Sequence, residues 1–141
     1  MSTRESNPDR LSRRVQGDKA IGLAAEAARE FGSAQWLDED ELARLCIVVE
    51  ELVANLYEHG GLTPDDYVEL SFSCEPDGIE VAITDPGMPF DPWSAPRSEE
   101  RRERGGGAGI DIVRAWAQLI SYDITDAGNR LVFILPVKWE G

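Results

Sequence analysis

The chain is short of histidine, cysteine and basic charge. One histidine, His59, among 141 residues excludes histidine-rich metal centres. Two cysteines, Cys46 and Cys74, stand far apart without metal-type spacing, and read as reduced residues of a cytoplasmic protein. Lys and Arg number 14 against 27 Asp and Glu, a formal net charge of −13. Nucleic-acid binders carry a basic patch, so nucleic acid is not an expected partner. No apolar run approaches the roughly 20 residues of a membrane span, and no apolar segment follows the N-terminus as a signal peptide requires. No membrane association is expected. The length suits one domain able to bury a core.

What is present begins with Val48–Gly60, VVEELVANLYEHG. On a helix of about 100° per residue, Leu45, Val48, Val49, Leu52, Val53 and Leu56 share one apolar stripe. Glu51, Asn55 and His59 follow at i, i+4 and i+8, in a row along its edge, while Glu50 and Ala54 turn to solvent. The row is either a solvated helix margin or a polar site beside a buried face. A carboxylate can serve as general base, and a carboxamide oxygen is a hard ligand suited to Mg²⁺.

Around that helix the periodicity gives an order of elements. Residues 1–10 are polar and expected to be disordered, and residues 11–141 form the domain. Leu11–Gly17 has a poor strand signal. Lys19–Phe31 is helical, with Gly32 as its stop. Asp38 and Glu41 make a capping-box pattern for the helix ending at Gly60. Tyr67–Cys74 and Ile79–Thr84 form a hairpin; Ile110–Ile120 reads as a helix; Ser121–Thr125 and Arg130–Val137 form a second hairpin. The fold class is α+β, a two-layer sandwich with helices on one face of a mostly antiparallel, mixed sheet. The segment from about Met88 to Gly106 is too long for a plain connector and reads as a lid or binding loop.

Two further stretches can carry chemistry. Asp85-Pro86-Gly87 ends a strand; it is ordinary turn chemistry, or a carboxylate placed to accept from an amino group, with Gly87 admitting a flat ring. Gly105–Gly109, GGGAG, opens a helix, either as a hinge or as a set of bare N–H groups for an anion. Neither a Walker loop nor a Rossmann fingerprint fits it, and no Ser-His-Asp arrangement is visible. Arg101, Arg102 and Arg104 alternate with Glu99, Glu100 and Glu103 and read as a solvated charge run.

Glu51-Leu52-Val53-Ala54-Asn55 with His59-Gly60, then Asp85-Pro86-Gly87-Met88-Pro89-Phe90-Asp91-Pro92, Gly107-Ala108-Gly109-Ile110 and Gly128-Asn129-Arg130-Leu131 succeed one another in that order. Together they resemble the GHKL (Bergerat-fold) ATP-binding domain, and within it the anti-sigma-factor serine/threonine kinases, over residues 11–137. The resemblance implies ATP and Mg²⁺ as cofactors. It implies Glu51 as general base and Asn55 as the Mg²⁺ ligand. Asp85 would read the adenine amino group with Gly87 beside the ring, and His59 would line the pocket. Gly105, Gly107, Ala108, Gly109 and Ile110 would wrap the phosphates. The implied function is partner switching in transcription regulation. The chain would phosphorylate an anti-anti-sigma (STAS-type) protein and sequester a sigma factor, and the N-terminal strand could serve a homodimer. A regulatory module that holds nucleotide or protein without transferring phosphate is the alternative.

Overall fold

The computed structural model describes residues 9–94 and 109–139. Five strands form one sheet in the order β1-β2-β3-β5-β4: β1 is Arg10–Gln16, β2 Tyr67–Glu75, β3 Gly78–Asp85, β4 Gln118–Thr125 and β5 Gly128–Pro136. All four pairings among the described residues are antiparallel, where a mixed sheet was expected. The helices are α1 (Ala20–Ala34), α2 (Glu39–His59) and α3 (Gly109–Trp116), with a 3-10 turn at Pro92–Ser94.

Alternation along the strands builds the core. Val68, Leu70 and Phe72 of β2, Ile79, Val81 and Ile83 of β3, and Leu131, Phe133 and Leu135 of β5 are buried in one cluster. With them lie Ala24, Ala28 and Phe31 of α1 and the α2 stripe of Leu45, Val48, Val49, Leu52 and Val53. Phe31 stacks on Phe72 at 5.6 Å between centroids, fixing α1 over the sheet. The structure is therefore the α+β two-layer arrangement expected.

Several boundaries differ from the sequence reading. Asp9 and Arg10 are ordered, because the Asp9 carbonyl accepts from the Cys74 N–H at 2.9 Å and Arg10 opens β1. The poorly marked β1 pairs along its whole length, Arg10 with Ser73 through Gln16 with Tyr67. Its weak signal has a physical cause. It is an edge strand, and its arginines are placed outside the core: Arg13 pairs with Glu30 at 2.8 Å, and Arg14 pairs with Glu69 at 2.8 Å over the Tyr67 ring. Gly32 does not stop α1. It lies inside the helix, where a Cβ would come within 2.6 Å of Leu42 Cδ1, so its smallness serves the α1–α2 contact. The third helix ends at Trp116 rather than Ile120, since Gln118–Thr125 pairs with β5. A register shift between Leu119 and Ser121 interrupts that pairing at Ile120, which is half exposed. The Leu-Ile step mimics a helical stripe, and pairing with a full neighbouring strand overrides it.

The capping box forms as expected. Asp38 Oδ1 accepts from the Glu41 N–H at 2.7 Å, and Glu41 Oε1 accepts from the Asp38 N–H at 3.0 Å. Asp38→Ala is expected to lower stability by about 1 kcal/mol in urea unfolding without changing the slope; an unchanged midpoint would deny the cap a role.

Candidate functional site

Burial of the apolar stripe fixes the rotation of α2, and with it the polar row. Glu51 and Asn55 are half-buried at the margin, Glu50 is exposed, and His59 is exposed in the last turn with its ring 6.0 Å from that of Phe90. Burial, reinforced by the charges of Glu50 and Glu58, pushes the Glu51 carboxyl above the ordinary glutamate range. The first residue of α3 meets this carboxylate directly. A Cβ on Gly109 would overlap Glu51 Oε1 and lie 2.6 Å from its Cδ. Arg44 of α2 stands over the Trp116 ring of α3 at 5.6 Å and ties the two helices together. Ile110 is buried. Gly105, Gly107, Ala108 and the charged run with Arg101, Arg102 and Arg104 lie outside the described residues, as does most of the expected lid.

Asp85 ends β3 opposite Asn129 of β5, and these are the two buried polar side chains among the described residues. Asp85 Oδ1 accepts from the Gly87 N–H at 2.8 Å and from Asn129 Nδ2 at 3.3 Å. Asn129 Nδ2 also donates to the Gly87 carbonyl at 2.8 Å, which fixes which way the amide faces. Asp85 Oδ2 has no hydrogen-bond partner among the described residues. Burial raises the Asp85 carboxyl, while the Gly87 amide and Asn129 act in the opposite direction. An acceptor left open in this way is suited to an incoming N–H donor. Gly87 has a packing reason of its own. A Cβ there would sit 2.5 Å from the Gly60 carbonyl oxygen, to which the Met88 N–H also donates at 2.8 Å. The turn after β3 is thus held on the end of α2.

Between the row and Asp85 lies an apolar cavity lined by Leu52, Leu56, Ile83, Phe90, Pro92, Tyr122 and Leu131 with Asp85. Its free volume is about 10 Å³, room for roughly one water. Phe90 and Pro92 form its outer wall. The Phe90 N–H donates to Tyr122 Oη at 2.7 Å, and Arg114 Nε of α3 donates to the Pro92 carbonyl at 3.1 Å. The cavity can admit more than about one water only if this segment gives way.

Sequence reasoning missed Asn129, Tyr122 and Phe90 as parts of the site. Gly128-Asn129 carries only a turn signal along the chain; its burial follows from the β3–β5 register. Tyr122 likewise arrives through the pairing of β4 with β5.

A helix-backed antiparallel sheet, with a strand-end carboxylate facing a cavity and a Glu/Asn row beside it, defines a nucleotide-binding ATPase-type domain. The sequence model of the histidine kinase-like ATPase domain matches residues 18–135, and the chain belongs to that family. No curated protein matched the chain. Membership implies ATP binding, usually with Mg²⁺. The donor set fits such an ion. Among the described residues no group of three or more His, Cys, Asp or Glu could hold a metal, whereas Mg²⁺ carried on phosphates needs only one or two protein oxygens. Asn55, half-buried one helical turn from Glu51, carries a side-chain oxygen of that chemistry.

Asp85 also generates a stability prediction. Its carboxyl titrates higher folded than unfolded, so the folded state binds more protons between the two values. Stability therefore falls as pH rises through that window, and the buried charge remains a penalty above it. Asp85→Asn keeps an oxygen for Gly87 and Asn129. Its melting temperature at pH 7–8 is expected to match or exceed wild type, with a flatter pH dependence; a loss above about 1 kcal/mol there would contradict this reading.

Proposed function

We propose that the protein is a cytoplasmic, ATP-dependent serine/threonine kinase that phosphorylates an anti-anti-sigma (STAS-type) protein, sequesters a sigma factor and so regulates transcription by partner switching. The observation that carries the catalytic part is Glu51, a half-buried carboxylate set against the start of α3, one helical turn from Asn55. The partner assignments rest on the resemblance of the quoted motifs to the anti-sigma kinases. No helix among the described residues is long and apolar enough to cross a membrane. Nucleic acid is not proposed as a partner. A homodimer through the β1 side of the sheet is part of the proposal.

In this reading the base enters between Leu52, Leu56, Ile83 and Leu131, and Asp85 Oδ2 accepts from its exocyclic amino group. Asn129 holds Asp85 in place. When bound, Mg²⁺ would neutralise phosphate charge, and Asn55 would be its protein ligand. Glu51 takes the proton from the acceptor hydroxyl as that oxygen attacks the terminal phosphorus, and the bond from that phosphorus to the bridging oxygen breaks, releasing ADP. The raised Glu51 carboxyl suits this task, since a base works best when its pKa lies nearer the working pH.

The test is transfer of labelled phosphate from ATP to a STAS-domain protein. Glu51→Ala is expected to slow transfer by about 10²–10⁴-fold with Mg-ADP still bound. Because the base must be ionised, wild-type transfer should fall as pH drops through a midpoint above the ordinary glutamate range. Transfer by Glu51→Ala at the wild-type rate would remove Glu51 as base. Nucleotide binding with no transfer by wild type would favour the non-phosphorylating module.

A further inference from the structure

We infer that Gly109 is a positioning residue for Glu51: the space where its side chain would be is the seat of the Glu51 carboxylate. The three atoms nearest to a Cβ at 109 are Oε1, Cδ and Oε2 of Glu51, the last at 3.0 Å. No backbone atom is among them. Nor does the backbone itself call for glycine. Gly17, Gly61, Gly78 and Gly128 have positive φ, and Gly109 does not. It is the first residue of α3, where alanine is the better helix former. The contrast with Gly87 is informative, since a Cβ there would strike the Gly60 carbonyl, part of the main chain.

The consequence is steric and specific. A side chain at 109 meets the far end of a flexible glutamate, so the fold survives and the carboxylate swings away. α3 is packed on α2 through buried Val113, which opposes the helices moving apart to absorb the extra methyl instead. The glycine that opens α3 therefore sets where the base lies, apart from any contact its amide makes with phosphate. The catalytic consequence rests on the kinase reading above; the contact does not.

The experiment compares wild type, G109A, E51D and E51D/G109A in phosphoryl transfer at saturating Mg-ATP, with Mg-ADP affinity measured by calorimetry. G109A is expected to lower kcat about 100-fold, with a smaller, less than tenfold, change in Mg-ADP affinity. Aspartate is one methylene shorter and clears the added methyl, so E51D/G109A should transfer no more slowly than E51D alone. An equal slowing by G109A with and without E51D would overturn the inference, as would a loss confined to Mg-ADP affinity. Absence of transfer in wild type would instead defeat the kinase reading, and melting curves then decide the contact. G109A should be more favourable by at least about 3 °C when combined with E51A than in the wild-type background. Equal shifts in the two backgrounds would overturn the contact.

Discussion

The docking of α2 on the sheet is the constraint from which the site follows. Leu45, Val48, Val49 and Val53 are fully buried and Leu52 nearly so, which leaves the helix one rotation about its axis. That rotation sends Glu50 to solvent and holds Glu51 and Asn55 at the margin, where they are desolvated without being entombed. A slip of one residue would exchange the two glutamates. The capping box at Asp38 fixes where the helix begins, and Gly60 receives the turn after β3 where it ends. One helix thus sets Glu51, Asn55 and one wall of the cavity.

A second, independent restraint comes from strand register. Pairing of β3 with β5 brings Asp85 opposite Asn129, and the asparagine ties both the carboxylate and the Gly87 carbonyl. With one Asp85 oxygen engaged, the other is left as an acceptor in an apolar wall. Such a wall discriminates by donor and acceptor pattern more than by size, because a mismatched partner leaves a buried polar atom without a hydrogen bond. Phe90 and Pro92 close the cavity from outside and are pinned through Tyr122 and Arg114. Filling the cavity must therefore spend free energy on moving them, which couples its occupancy to Tyr122 of β4 and Arg114 of α3.

The local elements were legible along the chain because each carries its own signal. The α2 stripe, its capping box and the Pro-Asp-Gly hairpin turn are readable from spacing alone. The motif order was enough to point to the family. What escaped is non-local. Asn129 looks like a turn residue until β3 lies beside it. Tyr122 and Phe90 meet across 32 residues of chain. Gly109 reads as one glycine of four in an anion loop, and its contact with Glu51 depends on how α3 lands on α2. The helix–strand boundary near Ile120 was misread because an apolar pair at a bulge satisfies either period. β1 was weakly marked since an edge strand with ion-paired arginines has little apolar alternation to show.

The central claim is that the cavity beside Asp85 receives an adenine nucleotide. Calorimetric titration of the protein with ADP and with GDP, each with Mg²⁺, addresses it most directly. The open acceptor on Asp85 predicts binding of ADP through its exocyclic amino group. It predicts no measurable binding of GDP, whose corresponding position is a carbonyl oxygen facing that carboxylate. Failure to bind ADP, or equal affinity for the two, would contradict the account.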